Sequence, residues 1–243
     1  MERQSSTFTL LCANLAGHYF SSNDPPNLVG RLNAIVDHLQ ELPVLPDIVA
    51  VQELYCVTFV GLSYQSERDT FVTRMRELGY QAALFAPKSS WFGFDTGLGL
   101  FSKQRAELIA SICFKDQVHR LSSKGAQKCL IPLGDDGAFR LVVVNAHLAW
   151  EECAAAQTKE LCHLVGMDSN LLCGDFNRFV KGNEVNCRGD CVMCAATDKE
   201  STHQDGGCYD HVFLFGGIRA VSSKIIDWGV SDHKFLLVEF EQT

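Results

Sequence analysis

Short apolar runs that stop abruptly at polar residues recur along almost the whole chain. Nine of them read as strands: Phe8–Asn14, Ile48–Gln52, Gln81–Phe85, Gly97–Ser102, Leu108–Cys113, Phe139–Asn145, Asn170–Gly174, Tyr209–Phe215 and Phe235–Phe240. They are rich in Val, Ile, Leu and Phe and are bounded by Gly, Pro, Asp and Asn, the composition of strands closed by turns. Several are apolar at consecutive rather than alternate positions, which suits strands covered on both faces.

Three segments carry helical spacing instead. Leu28, Leu32, Ile35, Val36, Leu39 and Leu42 recur at intervals of three and four across Leu28–Leu42. A second helix holds Phe71, Val72, Met75 and Leu78, with Asp69 as its cap and Gly79 as its stop. The third covers about Glu152–Val165, where an Ala-rich start favours helix. Strands interleaved with helices predict a mixed α/β protein. The pattern lapses over Phe179–Cys208, which is poor in apolar runs and rich in Gly, Asn, Asp and Cys. It reads as a functional loop or insertion within a single domain spanning residues 1–243.

Composition narrows the picture. With 243 residues, 47% of them hydrophobic, the chain can bury a sizeable core. No stretch approaches the ~20 apolar residues of a membrane span, and the polar start Met1–Thr9 lacks the zones of a signal peptide. The expectation is an intracellular, cytoplasmic protein. Of the eleven cysteines, Cys12, Cys129 and Cys173 sit inside apolar runs and behave as small hydrophobes. A reducing compartment makes a disulfide framework unexpected. Cys187, Cys191 and Cys194, with His203 and Cys208, form a candidate zinc cluster. The first gap, C-x₃-C, departs from paired C-x₂-C elements, and free thiols in an exposed loop are the competing reading.

A net charge of −8 argues against broad binding to polyanions, but a nuclease needs only a basic groove. Between Lys103 and Lys128, six basic residues (Lys103, Arg105, Lys115, Arg120, Lys124 and Lys128) face only Glu107 and Asp116. That segment reads as a solvated face, with a groove lining as the other option.

The chemistry gathers where apolar runs end. FTLLCAN stops at Asn14, IVAVQE at Glu53, LVVVNAH at His147, and LLCGDFN at Asp175 and Asn177, while VSDH places Asp232 and His233 before FLLVEF. Carboxylates, amides and imidazoles at the ends of neighbouring strands would converge on one edge. Singly, each could be a turn or a first exposed position. Together, in this order, with CANLAG, AVQEL, GLGLFSK, NAHL, GDFN, YDHVF and SDH, the pattern resembles the endonuclease/exonuclease/phosphatase superfamily. That superfamily includes secreted DNases, apurinic-site endonucleases, deadenylases, neutral sphingomyelinases and inositol polyphosphate 5-phosphatases. The resemblance runs from about Phe8 to Phe240 and implies two packed β-sheets flanked by helices, a four-layer DNase I-like sandwich.

The resemblance also implies roles. Mg²⁺, with Mn²⁺ as an alternative, favours oxygen donors; Glu53 with Asn14 would hold it, and Asp232 would lie near it or near a second ion. Asp175 would align the attacking water or take its proton. Asn177 would orient that water, and His147 and His233 would donate to phosphoryl oxygens. Asp210 would keep His233 protonated. Trp91 in SWFGFD, Trp150 after NAHL and Arg178 after GDFN are candidate substrate contacts. The aromatic loop could stack on bases, dip into a membrane interface or pack between the sheets. The chain lacks the Tyr-containing segment of apurinic-site endonucleases, and GDFNRF and GGCYDHV replace the GDxNYR and CDR motifs of inositol 5-phosphatases. Three functions stay open: hydrolysis of phosphodiesters in nucleic acid, hydrolysis of a lipid or small-molecule phosphoester, and an inactive scaffold. No protein partner follows from the sequence.

Overall fold

The computed structural model describes residues 7–15, 28–59, 62–64, 66–85, 92–115, 122–134, 137, 139–178, 192–193 and 200–243. In chain order these form β1 (Thr7–Asn14), α1 (Leu28–Glu41), β2 (Ile48–Phe59), β3 (Leu62–Tyr64), α2 (Ser66–Glu77), β4 (Gln81–Phe85), β5 (Phe92–Ser102) and β6 (Glu107–Cys113). There follow β7 (Ser122–Ser123), β8 (Gly125–Leu133), β9 (Phe139–His147), α3 (Glu151–Val165), β10 (Leu171–Asp175), β11 (Val192–Met193), β12 (Asp210–Leu214), β13 (Ile218–Ile226) and β14 (Phe235–Gln242). The first sheet runs β13-β14-β1-β2-β5-β4, with β3 on β2 and β7 on β5, and the second runs β11-β12-β10-β9-β8-β6.

Consecutive apolar positions make sense in this stack. On β1, Leu10 and Cys12 face the space between the sheets, while Leu11 and Ala13 face α1 and α2. On β9, Val143 points inward and Val144 and Ala146 point to α3. Helix, sheet, sheet and helix thus form the four layers of a DNase I-like sandwich. α1 buries the stripe of Leu32, Ile35, Val36 and Leu39. α2 ends as the sequence predicts: Gly79 takes φ +90° and the Tyr80 amide closes back on the Met75 carbonyl at 3.0 Å, a glycine-dependent helix stop. Asp69 is not the cap. It lies inside α2, beside Arg68.

Strand direction collects the polar termini. β1 and β2 are parallel, as are β9 and β10, so Asn14 pairs with Gln52 and Asp175 with His147. β12 is antiparallel to β10 and sets Asp210 opposite Asp175. β14 is antiparallel to β1, so the Asp232–His233 lead-in arrives at the same edge.

Several expectations need correction. β2 does not stop at Gln52 but continues to Phe59. The loop expected over Ser90–Asp95 is strand from Phe92 onward, because β5 follows β2 along that extension. β8 and β13 were not anticipated. β8 carries Gln127, Lys128 and Pro132 within its apolar run, and β13 is an exposed edge strand without an apolar face. The basic segment is solvated in part: Arg105 and Lys115 are exposed, whereas Lys103 binds Asp47, and Lys128 donates to Asp168 and to the Leu164 and Val165 carbonyls at the end of α3. Cys12, Cys113, Cys129, Cys153, Cys173 and Cys208 form no disulfide, whereas Cys162 is disulfide-bonded. Among the described residues no helix is long and apolar enough to cross a membrane.

Candidate active site

The polar residues meet across the seam between the sheets. Asn14 Nδ2 donates to Asp175 Oδ2 at 2.8 Å, and Gln52 Nε2 to Asn145 Oδ1 at 2.7 Å. His233 Nδ1 lies 2.8 Å from Asp210 Oδ2, and Glu53 Oε1 lies 3.8 Å from His147 Nε2. In each pair the first residue lies in the sheet of β1, or for His233 in the lead-in to its strand β14, and the second in the sheet of β10. Asn145 also donates to the Val51 and Gly99 carbonyls at 3.0 and 3.1 Å. Fully buried, Gln52 and Asn145 thus tie the two sheets together beneath the site, and sequence reading had passed over both as parts of QE and NAHL.

Local backbone chemistry aims the side chains. Between Val51 and Leu54 the register of β2 against β5 shifts, and Glu53 takes φ +55°. A bulge of this kind redirects one side chain without ending the strand, and a left-handed Glu is a strained position of the sort found at functional sites. Asn177, at φ +52°, donates its backbone N–H to Asp175 Oδ1 at 2.7 Å and its side-chain amide to the Leu148 carbonyl at 2.6 Å. That amide therefore holds the turn after β9. The Ser231 hydroxyl donates to the Asn14 carbonyl at 2.9 Å and accepts from the His233 N–H at 3.1 Å, which fixes the SDH turn against β1.

The electrostatics separate two carboxylates of like burial. Burial alone would raise Asp175, but the close approach of His147 and the charges of His233 and Lys124 hold it well below the usual carboxylate range. Burial pushes Asp210 up, and His233 pulls it back. Burial likewise opposes a charge on His233, yet Asp210, by charge and hydrogen bond, with Asp175 and Asp232 behind it, pushes that imidazole up to about 10. The pair is an imidazolium on a carboxylate. His203 also packs edge-on against the His233 ring at 4.7 Å. A raised histidine contributes its stability fully below the free value of about 6.5 and loses it as pH rises through the folded value. The charge on His233 should therefore persist until about pH 10. In Asp210→Asn, the alkaline limb of the kcat/KM profile should fall by about two pH units. An unmoved limb would remove His233 from the charged role.

Other candidates are distributed less simply. Asp232 Oδ2 faces His203 Nε2 at 3.4 Å, and His203 Nδ1 faces Asp205 at 2.8 Å. Neither His203 nor Asp205 had been assigned a catalytic role from sequence. Trp150 is 50% exposed, with its ring edge-on to Tyr209 at 5.3 Å, so it borders the site and is not a core residue. Arg178 turns toward α3, where its guanidinium lies 3.5 Å from the Thr158 hydroxyl. Cys208 is partly buried and forms no disulfide. Trp91, Cys187, Cys191 and Cys194 lie outside the described residues. Two basic groups enter unannounced. Arg31 of α1 is buried, which lowers its pKa, against the charges of Asp232 and Glu53. Lys124 places Nζ 2.6 Å from His147 Nε2 and 3.8 Å from Glu53 Oε1.

The donor set suits a hard divalent ion. Glu53 contributes carboxylate oxygens at the seam, and Asn14 turns its amide hydrogens to Asp175, so a cation would meet it through the carbonyl oxygen. An ammonium has already come within ion-pair distance of Glu53, a position where positive charge is favourable. Oxygen donors of this kind match Mg²⁺ or Mn²⁺.

A two-sheet sandwich with its polar groups on one strand-end seam is the fold of endonuclease/exonuclease/phosphatase proteins, and this chain has that fold. The human Nocturnin catalytic domain, solved with a bound sulfate anion, is similar with a TM-score of 0.71 at 18% identity, over 99% of this chain and 98% of its own. An endonuclease/exonuclease/phosphatase from Beutenbergia cavernae gives a TM-score of 0.75 at 13% identity, over 97% of this chain and 72% of its own. D. rerio TDP2, complexed with a single-strand DNA product, gives 0.66 at 16% identity, over 97% and 99%. No protein-family profile matches the sequence, and no curated protein matches it.

Proposed function

We propose that the chain is a divalent-metal-dependent phosphodiesterase that hydrolyses nucleic acid. The observation that carries the reading is the meeting of Asn14, Glu53, His147, Asp175, Asp210 and His233 along one inter-sheet seam, with a charged His233 beside a charged Asp175. A binding module has no need to maintain an imidazolium and an unprotonated carboxylate 3.9 Å apart. Nucleic acid is favoured among phosphoesters by the half-exposed Trp150 at the edge of the site, where a base can stack. The structural likeness to a TDP2 solved with DNA agrees with this choice.

A bound Mg²⁺ would offset charge on the phosphoryl and leaving oxygens. Asp175 aligns a water for in-line attack on phosphorus. Held low in pKa, it is a weak base for free water, and it takes the proton as the forming P–O bond acidifies the nucleophile. His233, oriented by Asp210, donates to a non-bridging oxygen, where charge accumulates. The P–O bond to the leaving oxygen breaks on the opposite side. Asn177 holds Asp175 in place through its backbone N–H.

The test is an end-labelled single-stranded oligonucleotide incubated with Mg²⁺, with and without EDTA. Glu53→Gln runs in parallel, so that activity belonging to a contaminant is seen as unchanged. Cleavage should require Mg²⁺, and the variant should need about tenfold more of it for half-maximal rate, because a neutral amide binds a hard cation less well. A strand left intact in both Mg²⁺ and Mn²⁺ would overturn the nucleic-acid reading. Hydrolysis of lipid or small phosphoesters by the same preparation would then replace it.

A further inference from the structure

We propose that Lys124 is a second cation of this reaction centre: it shares Glu53 with the divalent ion and donates to the phosphoryl group on the His147 side. The inference rests on the phosphoesterase reading above. Gly125 is the register partner of His147, so Lys124 stands just beyond the end of that pairing, at the edge where the other polar termini collect. Its side chain is only 13% exposed, and its Nζ lies 2.6 Å from His147 Nε2, 3.3 Å from His147 Nδ1 and 3.8 Å from Glu53 Oε1. Burial works against its charge, while Glu53 and Asp175 support it.

With Nζ close to both ring nitrogens, the ammonium lies against the face of the His147 ring, while Nε2 is turned to Asp175 Oδ2 at 3.3 Å. Placed there, Lys124 brings an ammonium to the same side of the site as His147, where a phosphoryl oxygen can accept from it. The neighbouring lysines are used differently. Lys103 binds Asp47 and the Leu45 carbonyl, and Lys128 closes the end of α3. Lys124 alone among these three points at the reacting groups.

Two positive charges on one carboxylate repel each other. Removing the ammonium should therefore tighten the binding of a divalent ion while slowing the reaction, an opposed pair of effects that a purely structural lysine would not produce. The experiment titrates the full chain with Mn²⁺ by calorimetry and measures kcat on the oligonucleotide, for wild type, Lys124→Met, Lys124→Gln and Lys124→Arg, each checked by thermal melting. The Met and Gln variants should bind Mn²⁺ about tenfold more tightly, given how strongly like charges a few ångströms apart interact in a partly buried site. Their kcat should fall about a hundredfold, the scale of losing one donor to transition-state charge. Arg should stay near wild type in ion affinity and recover much of the rate.

Equal or weaker Mn²⁺ binding by whichever neutral variants fold would overturn the proposal, as would an unchanged kcat. If wild type binds Mn²⁺ but hydrolyses no phosphoester, the functional reading fails, and the affinities still decide whether Lys124 shares Glu53. If neither wild type nor the neutral variants bind Mn²⁺, both fall.

Discussion

Asp175→Asn should lower kcat/KM on the cleaved oligonucleotide by about a thousandfold, within the range for loss of a positioned acid–base group. Asp175 has four of the site's residues around it. It accepts from Asn14 and from the Asn177 backbone, and it lies 3.3 Å from His147 and 3.9 Å from His233. Those contacts keep it charged, and its stabilising effect is present above the usual carboxylate pKa and lost as pH falls through its depressed value. An asparagine keeps the shape but turns an NH₂ group toward donors it cannot satisfy. The fold should lose about 1–3 kcal/mol, the cost of mismatched buried polar groups, which thermal melting would read. Activity must fall far more than stability. A folded variant within tenfold of wild type would mean that Asp175 does not handle the water.

The second large effect is on folding. Gly174 takes φ +144°, and a Cβ built there would stand 1.9 Å from the Ala146 carbonyl oxygen and 2.8 Å from its carbon. The obstacle is backbone of the parallel neighbour β9, one residue before His147, so no side chain can swing away. Gly174→Ala should destabilise the protein by about 4 kcal/mol, the scale of severe buried strain. In a domain of this size that shifts the melting midpoint down by about 10 °C. A midpoint within 2 °C or so of wild type would show that β9 and β10 can part without cost.

The elements that sequence reading placed well are those with a self-contained signal. β1, β9, β10, β12 and β14 each bury an apolar run that begins or ends at a polar residue, and the stripe of α1 has one face to cover. β13 was missed because an exposed edge strand carries no such pattern. The bulge at Glu53 was missed because it depends on how β2 lies against β5, and so on pairing across the sheet. Asn14, Glu53, His147, Asp175, Asp210 and His233 could be picked out because each follows or leads a strand. Lys124 could not: it sits in a charged stretch whose other lysines serve surface or helix-end contacts, and only the register of β8 against β9 separates it from them. Asn177 was legible as a site residue, but the direction of its amide, toward Leu148, was not.

The contacts Asn14–Asp175, Glu53–His147 and His233–Asp210 all cross from one sheet to the other. Neither half of the molecule owns the chemistry. In the proposed reaction one half would bring the oxygens that hold an ion and the charged imidazole, the other the carboxylate that would align the water and the partner of that imidazole. The reaction centre therefore coincides with the plane along which the sandwich would split, and Gln52 and Asn145, which touch no substrate in this scheme, act as the gauge block that sets its spacing. A shift in the spacing of the two sheets would therefore part all three pairs at once.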